Sequence, residues 1–270
     1  MTRRQLSLGA LTVLELSPDE MVTCAAEAGY DCVGLRLLPA TANEPAWPCV
    51  GDTPLVRQIE RRLADSGVRV LDVEIFRLLP DTDVRAFTPA LETGARLGAT
   101  QALVGAYDPD PKRLAECFAA LCDLGAPLGL SINIEPMPWT EVTNVAQGLR
   151  LLESARCHNA GLLIDPIHFD RGGDTPATID SIPGERLRYM QICDAPAERP
   201  TDLETLIYHA RNERLMPGDG ELDLKGILRA MPSDLPVAVE VPMRTLARTV
   251  SAVERAKRIR ARTKALLAAL

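Results

Sequence analysis

The stretch SINIEPMPWTEV, Ser131 to Val142, begins as a strand and ends on a charge. Ile132 and Ile134 carry the apolar character, and the run from Leu130 stops at Glu135. Pro136 and Pro138 then fix the backbone around Trp139, with Glu141 beyond them. A short apolar run with no polar face reads as a strand covered on both sides. A carboxylate at the buried end of such a strand is costly unless it is paired or bound to a cation. What stands opposite Glu135 is therefore the question to carry along the chain.

The same kind of run recurs from end to end. LSLGAL (6–11), CVGLRL (32–37), VRVLDVEIF (68–76), QALVGA (101–106), LSINIE (130–135), GLLID (161–165), LRYMQIC (187–193) and PVAVEV (236–241) make eight candidate strands. Longer amphipathic segments lie between them. The first opens on SPDE, where Ser17 suits the N-cap, Pro18 the first turn and Glu20 the third position of a capping box. Further helices are expected near 53–66, 82–97, 111–125, 142–155, 175–182, 223–231 and 244–268. Strict alternation of strand and helix implies parallel strands with crossover helices. Eight units in 270 residues, with no GxGxxG after the first strand, favour a single (β/α)8 barrel over 1–270 rather than an open doubly wound sheet. Two long loops, 38–52 and 195–222, follow the second and seventh strands, on the side where barrel enzymes build their sites.

Composition bounds the partners. Hydrophobic residues make up 46% and charged residues 25% of the chain, the ordinary balance of a globular domain. A net charge of -7 gives no global field toward nucleic acid or an anionic membrane, and no apolar run reaches the length of a membrane span. MTRRQLSLGALTVLEL lacks the long apolar core and cleavage site of a secretory signal and reads as the approach to a first strand. The seven cysteines form no CxxC pair, and most sit in apolar patterns as small hydrophobes, which fits a reduced cytoplasmic setting. The expected partner is a small molecule, with a homo-oligomer as the usual default.

In a barrel, polar residues at the C-terminal strand ends point into the mouth. Arg36 ends strand 2. Strand 3 holds Glu74 and is followed by Arg77. Glu135, Asp165, Gln191 and Glu240 then come from four consecutive strands, with His168 three residues after Asp165 and Asp194 three after Gln191. Each alone suits a rim residue or a helix cap. Three clustered carboxylates, however, would raise one another's pKa, and a divalent cation removes that conflict. All-oxygen ligation favours one Mn²⁺ or Mg²⁺, with Co²⁺ or Zn²⁺ as further candidates.

IEPMPWTEV, LLIDPIHF, YMQICDA with PGDGELD, and VAVEVP, in this order, resemble the xylose isomerase-like TIM-barrel superfamily, which includes hydroxypyruvate isomerase, inosose dehydratase and ketose 3-epimerases. The resemblance implies metal ligation by Glu135, Asp165, Gln191 and Glu240. Glutamine at the third position is more like hydroxypyruvate isomerase and inosose dehydratase than like the epimerases, which usually carry histidine there. It also implies substrate contacts by Glu141, His168 and an arginine after strand 7, for which Arg214 has Arg199 and Arg211 as rivals. Trp139 is either packing on the barrel lip or an apolar wall against a ring. Arg36 and Arg77 either form rim ion pairs, one of them with Glu74, or meet an anionic or polyhydroxylated substrate. PGDGELD reads first as a tight turn into the next helix.

The leading expectation is a metal-dependent sugar isomerase or epimerase acting on a sugar or polyol ketone. Glu135 and Glu240, on opposite sides of the mouth, would take and return a proton next to a carbonyl, and the metal would stabilise the enediolate. The same groups would serve a lyase or dehydratase, either inosose dehydratase-like or cleaving oxidised glycosides. A non-catalytic sugar-binding barrel is the alternative of another class. An endonuclease IV-like site would need more zinc-binding histidines than the three in this chain.

Overall fold

A computed structural model describes residues 4–270; residues 1–3, the start of the segment expected to lead into the first strand, lie outside them. All eight expected strands are present: β1 (Leu6–Leu8), β2 (Cys32–Arg36), β3 (Arg69–Leu78), β4 (Gln101–Ala106), β5 (Ser131–Ile134), β6 (Ala160–Leu162), β7 (Met190–Ile192) and β8 (Val237–Val239). They pair in parallel in the order β6-β5-β4-β3-β2-β1-β8-β7. The ends of that row meet through a parallel bridge between Ile164 and Met190, where the Gln191 N–H donates to the Ile164 carbonyl at 3.0 Å. The result is a (β/α)8 TIM barrel, as the alternation of the sequence predicts.

The helices are α1 (Pro18–Ala28), α2 (Pro54–Ser66), α3 (Thr88–Arg96), α4 (Pro111–Gly125), α5 (Val145–Ala155), α6 (Pro166–Arg171), α7 (Pro176–Ile179), α8 (Leu203–Asn212), α9 (Leu224–Ala230) and α10 (Ala252–Ala268). The capping box at Ser17 and Glu20 is formed. A large apolar cluster joins strands to helices, and a smaller one without helical residues, including Leu71, Leu103, Leu163 and Tyr189, packs apart from it. The seven cysteines are all free thiols, five of them buried.

Three differences from the sequence reading matter. The first strand stops at Leu8 because Gly9 lies against the Val239 carbonyl and the chain turns into a short 3-10 segment, Ala10–Val13. The last helix starts at Ala252 rather than near 244, which leaves 244–251 as part of the rim. The segment 195–222, expected as loop, contains α8. Its signal was present: Asp202 caps the helix by accepting from the Thr205 N–H, and Leu203, Leu206, Ile207 and Ala210 follow an i, i+3, i+4, i+7 pattern.

After α8 the chain is organised around Asp194. Its buried carboxylate accepts N–H bonds from Ala195, Gly218, Gly220 and Leu222 at 2.9–3.2 Å. PGDG is thus a turn wrapped on a carboxylate. Gly218 has φ +88, and a Cβ on Gly220 would lie 2.4 Å from Asp194 Oδ1 and 2.5 Å from the Ala195 carbonyl. Asp194 also exchanges backbone bonds with Leu215, next to Arg214. Gly220→Ala should therefore destabilise the protein by about 1–3 kcal/mol, read as a lowered midpoint in urea, whereas Gly51→Ala, with open space around it, should cost only its backbone strain. Equal midpoints for the Gly220 variant and wild type would contradict the packing described.

Candidate metal centre and active-site cavity

A cavity of about 650 Å³ lies among the C-terminal ends of the strands. Its wall includes Arg36, Glu44, Glu74, Glu135, Trp139, His168, Arg211, Arg214, Glu240 and Arg244. Glu135, His168, Arg214 and Glu240 form its floor, and Asp165 and Gln191 lie outside the lining, in contact with Arg214 and Glu240. Glu135 leaves β5 directly after its backbone N–H bonds to Val104. Asp165 follows the short β6 and caps α6, with Oδ1 accepting from the Ile167 N–H at 3.0 Å. That short helix, missed in the sequence reading, carries His168 back over the floor. Gln191 lies within β7, and Glu240 follows β8 with its N–H on the Ile192 carbonyl.

These side chains converge. Glu135, Asp165 and His168 each present an atom within 4.8 Å of the other two. His168 Nε2 stands 3.6 Å from Glu135 Oε1. Gln191 Nε2 donates to Glu240 Oε1 at 3.0 Å. Arg214 bridges the set: Nη1 reaches Asp165 Oδ2 at 2.6 Å and Nη2 reaches Glu240 Oε2 at 3.0 Å. Its remaining donors meet the carbonyls of Ala210 and Glu240. Cys193 is buried and points its thiol at Asp165 Oδ1, 3.4 Å away.

One guanidinium does not balance three buried carboxylates. Burial, then the charges of Glu240 and Asp165, hold the Glu135 carboxyl well above the usual range. Burial, reinforced by Glu74 and Asp165 and opposed by Arg214, lifts Glu240 from 4.5 to about 8. Burial also acts upward on Asp165, but Arg214, His168 and the Ile167 N–H outweigh it and the net shift is down. Burial lowers His168 to about 4, so the imidazole is neutral near pH 7.

The residues fit a divalent cation. Glu135 Oε1, Gln191 Oε1 and His168 Nδ1 are buried with no hydrogen-bond partner among the described residues. Two unpartnered oxygens, further carboxylate oxygens and a neutral imidazole form a hard, mixed O/N donor set. The tightest three-residue group includes His168, which the sequence reading placed on substrate; Gln191 and Glu240 adjoin it through their mutual bond and Arg214.

The other expected residues separate clearly. Trp139 is half-buried on the wall, edge-on to His168 with ring centroids 4.9 Å apart. Glu141 is exposed and outside the cavity lining, because the turn closed by Met137 N–H to the Val142 carbonyl carries it outward. Of the rival arginines, Arg214 enters the floor, Arg211 lines the wall and Arg199 pairs with Asp170 at 3.1 Å. Arg36 pairs with Glu44 at 2.8 Å and Glu74 at 3.5 Å. Arg77 donates to the Ala40 carbonyl and stacks 4.2 Å from the Tyr107 ring centroid. Glu44 and Arg244 were missed, although both sit on segments that follow strands, where rim residues are expected.

Residues 22–266 match the family model described as the xylose isomerase-like TIM barrel. The chain belongs to that family. Among curated relatives of this barrel, a 3-dehydroshikimate dehydratase of Pseudomonas aeruginosa is 30% identical over 64% of this chain and 28% of its own length. A 3-dehydroshikimate dehydratase of Pseudomonas putida is 28% identical over 83% of this chain and 35% of its own length. The chain thus spans about a third of the length of the curated relatives it matches. Solved barrels of the same fold include an IOLI protein with a bound zinc atom, with a TM-score of 0.81 at 19% identity and 98% coverage of both chains. A D-allulose 3-epimerase from Methylomonas sp. superposes with a TM-score of 0.72 at 18% identity, again over 98% of both chains.

The raised pKa of Glu240 has a testable sign. Between about pH 4.5 and 8 the folded state holds a proton that the unfolded state has released, so this group's contribution to stability is full below 4.5 and is lost as pH rises to 8. Asp165 acts the opposite way, but below its ordinary 3.8 and so outside this window. Metal binding needs the deprotonated ligands. The rise in melting temperature on adding Mn²⁺ should therefore grow from about pH 5 to about pH 8. A pH-independent rise would contradict the assignment.

Proposed function

We propose that this barrel is a divalent-metal-dependent lyase that removes water from a cyclic hydroxy ketone, with 3-dehydroshikimate as the first substrate to try. The observation that carries the reading is the position of Glu135: a buried carboxylate on the cavity floor, with Oε1 unpartnered, beside Asp165 and His168. The identity to two 3-dehydroshikimate dehydratases favours dehydration over the isomerase or epimerase chemistry first expected, since the epimerase likeness is one of fold at 18% identity.

Glu135, Asp165, Gln191 and Glu240, with His168 adjoining, would hold the ion. When bound, the ion would draw electron density from the substrate carbonyl and so acidify the neighbouring carbon, which bears the adjacent hydroxyl. Removal of that proton and loss of the hydroxyl one carbon further on releases one water; a proton then leaves the ring CH2 and the ketone oxygen takes one up, which gives an aromatic ring. In 3-dehydroshikimate the product is 3,4-dihydroxybenzoate. Glu135 and Glu240 enclose the floor from the β5 and β8 sides; Glu135 can take the proton with its unpartnered Oε1, while both Glu240 oxygens are held by Gln191 and Arg214. The buried floor keeps bulk water from protonating the carbanion. Arg214, tied to Asp165, Glu240 and two carbonyls, fixes their orientation and offsets their charge. Trp139 gives a flat apolar wall for a six-membered ring.

Isomerisation or epimerisation would need the same first step and no leaving group. Incubation with Mn²⁺ and 3-dehydroshikimate, followed by ultraviolet absorbance of the aromatic acid, separates the two when D-allulose with deuterium wash-in is run in parallel. Glu135→Gln and Glu240→Gln should each lower turnover of the active substrate by about a thousandfold with an unchanged circular dichroism spectrum. Near-wild-type rates in both variants would sink the assignment; exchange into D-allulose without dehydration of 3-dehydroshikimate would favour the epimerase.

A further inference from the structure

The cations around the cavity divide into two groups. Arg36 is committed to Glu44 and Glu74, and Arg214 to Asp165 and Glu240. Arg211 and Arg244 also line the cavity, and neither guanidinium has an ion pair or a hydrogen bond among the described residues. Arg211 is half-buried with its guanidinium carbon 5.8 Å from the Trp139 ring centroid; Arg244 is exposed. The buried indole N–H of Trp139 is unpartnered as well. Glu204 is the remaining acidic residue on the wall, but it lies seven positions before Arg211 on α8, about 10 Å along the helix axis.

The segments carrying the two arginines are stitched together. Glu213 and Met243 form an antiparallel bridge. The Arg244 N–H donates to the Asn212 carbonyl at 2.9 Å, and the Arg214 N–H to the Pro242 carbonyl at 2.8 Å. The Glu213 carboxylate accepts from both the N–H and the hydroxyl of Thr245, at 2.7 and 2.5 Å. Arg211 and Arg244 thus flank a braced two-segment rim, and Arg214 descends from the same rim to the floor. The cavity thus has buried carboxylates on its floor and two cations without partners on its wall. A ligand that fills it is expected to carry oxygens for the floor at one end and an anionic group at the other.

We propose that Arg211, held against the Trp139 ring, and Arg244 form a subsite for the carboxylate of a cyclic keto-acid, and that this subsite makes the cavity select acids over neutral keto-sugars. This rests on the reading of the cavity as a substrate site. Arginine suits the task because its planar fork pairs with both oxygens of a carboxylate, and stacking on tryptophan holds it ready. A neutral sugar would leave both guanidinium groups without a charge partner.

The test is binding rather than turnover. Calorimetry on the Mn²⁺-loaded protein compares 3,4-dihydroxybenzoate with catechol, the same diol without the carboxylate. The wild type should bind the acid at least about tenfold more tightly, the range of one charge-assisted contact. In the Arg211→Gln/Arg244→Gln double variant the two affinities should come within about threefold of each other, while Arg211→Lys should keep part of the preference. Thermal melts of each variant check that the fold is retained. Equal affinities in the wild type, a preference that survives in the double variant, or binding of neither diol would overturn the subsite. Dehydratase activity together with equal affinities would overturn the subsite alone; a carboxylate preference without dehydration would leave the subsite standing and remove the proposed reaction.

Discussion

Three carboxylates, Glu135, Asp165 and Glu240, are buried at the mouth of one barrel, and each is pinned there by the strand that precedes it. Their mutual repulsion is the constraint around which the mouth is built. Arg214 answers part of it, bridging Asp165 and Glu240 from a fully buried position. Glu135 is left without a hydrogen bond at Oε1 and with its carboxyl well above the usual range. A buried charge left without a partner is more costly than the pair itself is valuable. The floor therefore has room for more positive charge than the chain supplies.

Arg214 can occupy that position because of a chain of local dependencies. Asp194 gathers four backbone N–H groups and fixes the PGDG turn. The turn sets Leu215, and Leu215 sets Arg214. From the other side α8 delivers the Ala210 carbonyl to the Arg214 guanidinium. The longest connection between consecutive strands, β7 to β8, is thus tied into the site: it supplies the buried arginine, and its helix α8 supplies Arg211 on the wall. The rim after β8 joins it through Glu213 and Thr245. On the proposed function, the braced rim would set specificity and the floor would carry the proton transfer.

Much of this was legible in the sequence. Strand runs rich in valine, isoleucine and leucine read clearly as strands covered on both faces, and the three acidic residues after β5, β6 and β8, with Gln191 on β7, fall on one rim by the geometry of a barrel alone. The four-residue set around Glu135 therefore needed no tertiary information. What the sequence hid depends on long-range approach. The α6 helix is only six residues long, too short for a periodic signal, and its position brings His168 against Glu135. That Arg214 is bound to Asp165 and Glu240 while Arg211 lines the wall depends on α8, a helix inside the long segment after β7. Glu141, which the resemblance implied as a substrate contact, is carried outward by the intervening turn.

The most direct test of the central claim is a count of Mn²⁺ bound to the purified protein, by electron paramagnetic resonance of the free ion during titration. The account predicts one tight site per chain in the wild type, and its loss in both Glu135→Gln and Asp165→Asn with the fold intact. No tight site in the wild type, or a site unaffected by either substitution, would contradict it.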